Sequence, residues 1–262
     1  MPGEEQTWGQ SDWSKKLSQQ AEDSREYRHK LYNKVNLKNK KFILDVGCGT
    51  GVITRDIAQF TSGDVVGVDI DDIKLQEAEK NLADLPNVKL KKANVLFLPF
   101  DDASFDLVVF NIVLTYVKGQ QKAINEMVRV TKPGGHILAS LEPDYAARID
   151  YPHNPIGPMI LRQMEELGAD LSTGRKLKYL FSNAGLETEV GMDTDSDFVY
   201  SRDDVKLLEK FYKLFWVYEK LLKKNGWSDE EIKKYKHNES EKIRKGLCFH
   251  FPPCFYAIGK KV

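Results

Sequence analysis

Between residues 40 and 142, short apolar runs alternate with segments whose apolar residues recur every three or four positions. Strands buried on both faces read as unbroken apolar stretches, so this alternation predicts a parallel sheet covered by helices. KFILDV is the first strand; 64–70 (DVVGVDI), 88–95 (VKLKKANV), the run from Ser104 (SFDLVVFNIVL) and 134–141 (GGHILASL) supply four more. The intervening DIKLQEAEKNLADL and QQKAINEMVRVT carry the spacing of amphipathic helices, and Pro86 and Pro133-Gly134-Gly135 mark helix ends.

Beyond Leu141 the pattern loosens. EPDYAARIDYPHNPIGP reads as a loop, 159–167 as a short helix, GRKLKYLFSNAGL as a helix closed at Ala184-Gly185, and ETEVGM as a sixth strand. Residues 203–246 read as two long helices broken at Asn225-Gly226-Trp227-Ser228, with Ser228 a good N-cap before three acidic residues. CFHFPPCFYAIGKK is a seventh strand whose two prolines favour an edge or a bulge. Ahead of the sheet, SDWSKKLSQQAEDSREYRHKLY reads as one long helix. The predicted fold is therefore α/β, a Rossmann-like, seven-stranded, mostly parallel sheet in a single domain. Residues 1–39 form an N-terminal helical lid and 40–142 the α/β core. Residues 143–262 complete the sheet, with helical cap insertions at 155–168 and 203–246, before and after the sixth strand.

Chemistry concentrates at LDVGCGTG, residues 44–51, where the first strand turns through three glycines into the helix VITRDIAQF. Glycine tolerates positive φ and lets a ligand approach the backbone, while a helix N-terminus presents unpaired N–H groups. A dinucleotide fingerprint needs G-x-G-x-x-G. Here the spacing is G-x-G-x-G, with Val52 where the third glycine would fall, which disfavours a nicotinamide oxidoreductase. Asp45, two positions ahead of Gly47, suits an ammonium better than a phosphate. Asp69 ends the second strand, where a carboxylate can accept both ribose hydroxyls; Asp71 or Asp72 fits the next helix's N-cap better.

With 262 residues, 41% hydrophobic and 30% charged, the chain has an ordinary soluble composition. A formal net charge of +0 gives no global attraction to a polyanion, so a nucleic-acid partner is disfavoured. The polar start MPGEEQTWGQ is unlike a signal peptide and no run is long enough for a membrane span, which predicts a cytoplasmic protein. Cys48, Cys248 and Cys254 show no metal-ligand spacing and no disulfide framework.

LDVGCGTG with Asp69, followed by LPFDDASFDLVVFNIVLTYV and NEMVRVTKPGGHILAS, resembles the class I S-adenosylmethionine-dependent methyltransferases, in particular their small-molecule, type 11-like branch. The likeness covers roughly residues 40–142. It implies S-adenosyl-L-methionine as cofactor, held by Asp45, Gly47, Cys48, Gly49, Gly51, Asp69, Ile70, Asn94, Val95 and Asn111. Asn94 departs from the acidic residue the family often carries there; a turn-forming role is the alternative. The chain lacks [DNS]-P-P-[YF], which counts against N-methylation of adenine or glutamine. The resemblance implies methyl transfer by in-line displacement to a small-molecule acceptor. Methylation of protein or RNA, or cofactor binding without turnover, are the alternatives.

The loop after the fifth strand faces the acceptor in this fold. It offers Glu142, Asp144, Tyr145, Arg148, Asp150, Tyr151 and His153, with Tyr116 past the fourth strand. Tyr116, Tyr145 and His153 are the catalytic candidates. Tyr145, Arg148 and Tyr151 are the acceptor-binding ones, suggesting a compact acceptor with a polar or anionic group. FYKLFWVYEKLL has helical spacing and reads as the packed face of the cap. Trp13 and Tyr27 could cover the cofactor or simply pack on the core.

Overall fold

Alternate residues along β1 (Phe42–Val46) enter different cores, which is why its apolar run has no polar face. Leu44 and Val46 pack in one cluster and Ile43 in another on the opposite face. The computed structural model describes residues 18–193 and 204–262. After α1 (Arg25–Lys34) and β1 come α2 (Val52–Phe60), β2 (Asp64–Asp69), α3 (Asp72–Leu82), β3 (Val88–Lys92) and β4 (Phe105–Asn111). Then follow α4 (Gln120–Val130), β5 (Thr131–Pro143), β6 (Ile149–Tyr151), α5 (Ile156–Glu166), α6 (Thr173–Asn183) and β7 (Leu186–Asp193). The described chain closes with α7 (Asp204–Lys224), α8 (Asp229–Arg244), β8 (Phe249–Phe251) and β9 (Cys254–Lys261).

The main sheet has seven strands in the order β3-β2-β1-β4-β5-β9-β7. The first five are parallel, and β9 runs antiparallel to both β5 and β7. The order reverses at β1, between β2 and β4, which opens a crevice at the strand carboxyl ends. One face is closed by α4 and α6 through Ile124, Met127, Leu177 and Phe181; the other by α1 and α2 through Leu31, Tyr32 and Ile57. A third cluster joins α5, α7 and α8 through Ile156, Phe215, Leu222 and Ile232, and forms a cap with its own core.

Two sequence expectations are corrected. The N-terminal segment is not one helix: a helical stretch over 18–23 breaks at Ser24 before α1. In α1, Arg28 is almost fully buried and donates to Asp56 Oδ2 of α2 from Nε and Nη2 (3.2 and 2.9 Å). Tyr27 packs edge-on against Tyr256 in the sheet core rather than over a ligand, and Trp13 lies outside the described residues. The expected seventh strand is two strands. Pro252-Pro253, unable to donate to a ladder, separates β8 from β9, so β9 is interior and β8 pairs with β6 in a separate two-stranded sheet. Asp150, within a stretch whose composition predicts a loop, pairs with His250 in that small sheet.

No helix among the described residues is long and apolar enough to cross a membrane.

Candidate active site

The turn after β1 is laced to β2. Gly47 and Cys48 N–H both donate to the Val68 carbonyl (2.7 and 2.9 Å), and Gly49 N–H donates to Asp69 Oδ2 (2.8 Å). Asp69 Oδ1 accepts from Asp71 N–H (3.0 Å), while Asp71 itself caps α3 by accepting from Ile73 and Lys74 N–H. The carboxylate expected to face a ribose thus also fixes the glycine turn.

A single cavity of about 1020 Å³ opens from this turn. Ligand pockets commonly measure roughly 300–1,000 Å³, so the space suits a cofactor together with a second molecule. Gly47, Cys48, Gly49, Asp69, Ile70, Asn94, Val95 and Asn111 all line it. A Cβ on Gly49, where φ is +53°, would meet nothing within 4 Å, so the backbone there is bare toward the space. Ile70 is 62% exposed at the cavity wall, a flat apolar contact for a planar ring.

Two of the expected cofactor residues face elsewhere. Asp45 is buried, accepts from Thr54 Oγ1 (2.6 Å), and does not line the cavity. Burial, against the Thr54 hydrogen bond and with Asp69 adding repulsion, raises its pKa to about 7. Gly51 caps α2 at φ +82°, and a Cβ there would lie 2.7 Å from Leu82 Cδ1, so this glycine allows α2 and α3 to approach. Asn94 lines the cavity, yet its Oδ1 accepts from Leu96 N–H (2.9 Å), the turn-forming alternative. Asn111 Oδ1 accepts from Ser140 Oγ (2.9 Å).

The turn after β4 holds a feature the sequence did not signal. Ile112 lines the cavity at φ +54°, where a β-branched residue is a steric outlier, strained by about 1–3 kcal/mol. The next two N–H groups, of Val113 and Leu114, donate to Glu142 Oε1 (2.7 and 3.2 Å). Glu142 is fully buried and off the cavity, so it supports this turn rather than meeting an acceptor. Burial, against those backbone hydrogen bonds, raises its pKa to about 7. Only the fold brings Glu142 to a turn some thirty residues earlier.

At the far end the cavity runs between the β6–β8 sheet and the cap. Tyr116, Tyr145, Arg148 and Tyr151 line it; His153 is exposed and does not. His153 therefore drops out as a catalytic candidate. Asp144 is buried and paired with Arg175 away from the space. Burial, with Tyr116 and Cys254 nearby, pushes the Tyr145 phenol well above its ordinary pKa, which keeps it protonated and disfavours it as a base. Arg148 Nε donates to Asp150 Oδ2 (2.6 Å), which answers its charge inside the protein and weakens the case for an anionic acceptor.

His250 and Glu239 line the same end and were missed, because each depends on pairing or packing across long stretches of chain. The aromatic run of α7 is divided. Phe215 and Leu222 pack within the cap, as the spacing suggested, whereas Phe211 and Tyr218 also reach the cavity.

Residues 44–139 match a family model described as a methyltransferase domain. An uncharacterized methyltransferase of Schizosaccharomyces pombe is 32% identical over 154 residues, 54% of this chain and 55% of that protein. A demethylmenaquinone methyltransferase of Staphylococcus aureus is 34% identical over 119 residues, 45% of this chain and 49% of that protein. Among solved structures, Haemonchus contortus phosphoethanolamine N-methyltransferase 2, in complex with phosphomonomethylethanolamine and S-adenosylhomocysteine, superposes with a TM-score of 0.60 at 19% identity. That match covers 88% of this chain and 51% of that one. The chain spans about half the length of the curated relatives it matches. The likeness to methyltransferase domains thus lies over residues 44–139, the α/β core that carries the glycine turn and Asp69.

Proposed function

We propose that this protein is an S-adenosylmethionine-dependent methyltransferase acting on a small-molecule acceptor. The observation that carries the reading is one continuous cavity joining the glycine turn and Asp69 to the wall formed by β6, β8 and the cap. The residues fit the cofactor: Gly49 leaves the backbone bare, Asp69 offers a carboxylate to the ribose, and exposed Ile70 offers an apolar face to the adenine. Gly47, Cys48, Val95 and Asn111 complete its surroundings, while Asp45 and Gly51 support the turn from behind.

When bound, this cofactor supplies a methyl group already activated by a sulfonium. The chain's share is to align the acceptor with that carbon and exclude water, which can lower a barrier by roughly 7–11 kcal/mol. Ile156, Ile160, Phe211 and Leu214 give the acceptor end an apolar lining, shared with Tyr116, Tyr145 and Tyr218. That composition favours a compact, largely apolar acceptor with one polar group over a protein segment or RNA strand. The demethylmenaquinone enzyme among the relatives is consistent with such an acceptor. Three free thiols, two of them buried, accord with the reducing cytoplasm.

The test is release of S-adenosylhomocysteine when the protein and S-adenosylmethionine are incubated with a metabolite panel. Acceptor-dependent release is expected; the same background with every compound would contradict turnover.

A further inference from the structure

At the acceptor end of the cavity, charged and titratable groups gather where β6 and β8 pair. Asp150 Oδ1 hydrogen-bonds His250 Nδ1, and Asp150 Oδ2 accepts from Arg148 Nε (2.6 Å). Arg148 Nη2 also approaches His250 Nδ1 (3.2 Å), but two donors cannot share one proton position, and the carboxylate contact is the closer. The proton therefore sits on Nδ1, and Nε2 carries the lone pair. Nε2 has no hydrogen-bond partner among the described residues, and His250 lines the cavity. A histidine that lines a ligand cavity, with Nδ1 fixed by a largely buried carboxylate and Nε2 left with its lone pair, is an oriented base.

The geometry points to His250 as the general base of this site, with Asp150 and Arg148 as positioning residues, and hence to an acceptor that carries a weakly acidic O–H or C–H group. This rests on the methyltransferase reading. The acceptor's proton moves to Nε2 as its oxygen or carbon bonds the methyl carbon. The methyl–sulfur bond breaks with its electron pair passing to sulfur, and the imidazolium then returns its proton to water. A thioether, or a weakly basic tertiary amine that is unprotonated at neutral pH, would give such a base nothing to remove.

The surroundings keep the ring neutral. Burial lowers the His250 pKa, Asp150 raises it, and Arg148 and Lys210 of α7 lower it, with a net downward direction. Tyr218 of α7 interacts with Arg148 and Asp150, and also with Glu239 of α8. The free base thus predominates at neutral pH.

Three experiments on the full chain decide the proposal. Nitrogen-15 NMR of the histidine rings, with S-adenosylhomocysteine added, should show His250 as the Nδ1–H tautomer titrating below 6.5, and Asp150→Asn should disturb that tautomer. An Nε2–H tautomer, or a ring still charged at neutral pH, overturns it. Methyl transfer to phenolic, enolic and weakly basic, unprotonated tertiary-amine compounds should be confined to the first two classes. His250→Gln should lower kcat roughly 10²–10⁴-fold and remove the acid limb of the pH profile, while His153→Gln leaves both unchanged. Turnover of the amines alone, or wild-type rates in His250→Gln, overturns the proposal too. If no compound turns over, the NMR result decides alone. Calorimetry with S-adenosylmethionine separates the failures: binding with wild-type turnover in His250→Gln sinks only the base, whereas no binding sinks the methyltransferase reading.

Discussion

Gly49 and Gly51 both hold positive φ, yet an added methyl group would meet different things. At Gly49 it would meet open space in the cavity; at Gly51 it would press on Leu82 and Ala78 of α3. Left-handed backbone costs a non-glycine residue about 1–2 kcal/mol, and overpacking adds about 1–3 kcal/mol. Urea denaturation should therefore show Gly51→Ala losing more stability than Gly49→Ala, while calorimetry shows the reverse order for loss of S-adenosylmethionine affinity. The opposite pattern would misplace both residues. The glycine spacing was legible because a strand-to-helix turn is a local event. Which glycine faces a ligand and which faces a helix was not, since α3 lies some thirty residues on.

Glu142 carries a pH dependence of its own. Its folded pKa is raised from 4.5 to about 7, chiefly by burial, so the folded state holds this proton more tightly than the unfolded chain. The stabilising contribution is complete below about 4.5 and is lost as pH rises through about 7. Asp45, raised from 3.8 to about 7, acts in the same direction. Denaturation midpoints should fall from pH 5 to pH 8, and Glu142→Gln should flatten that slope; an unchanged slope would remove Glu142 as its source.

At the scale of elements, the strands of the parallel core and the helices between them follow from runs buried on both faces. The β6–β8 sheet escaped the sequence because its strands are three residues each and pair about a hundred residues apart. Short strands carry too few alternations to register, and pairing at that distance leaves no local trace. The break between α7 and α8 was legible from Ser228, whose hydroxyl accepts from Glu231 N–H while the Glu231 side chain accepts from Ser228 N–H. Ser228→Ala should cost about 1 kcal/mol. Leu222→Ala, in the cap's own core, should cost about 2–5 kcal/mol. Hydrogen exchange should place the Leu222→Ala loss in α5, α7 and α8 with the main sheet protected. Equal loss of protection in β1 and β4 would show that the cap and sheet unfold as one unit.

Across the whole molecule, the reversal of strand order at β1 and the cap over the strand ends meet at one cavity, whose sheet end is the cofactor end. Asp69 holds the turn through Gly49 N–H and borders that end, so it couples local structure to ligand. The most direct measurement is isothermal calorimetry of the intact chain with S-adenosylmethionine, S-adenosylhomocysteine and NAD, repeated on Asp69→Ala. The two adenosyl amino acids should bind one per chain, NAD should give no heat, and Asp69→Ala should weaken binding by about 1–3 kcal/mol. Binding of NAD in their place, or full affinity in Asp69→Ala, would contradict it.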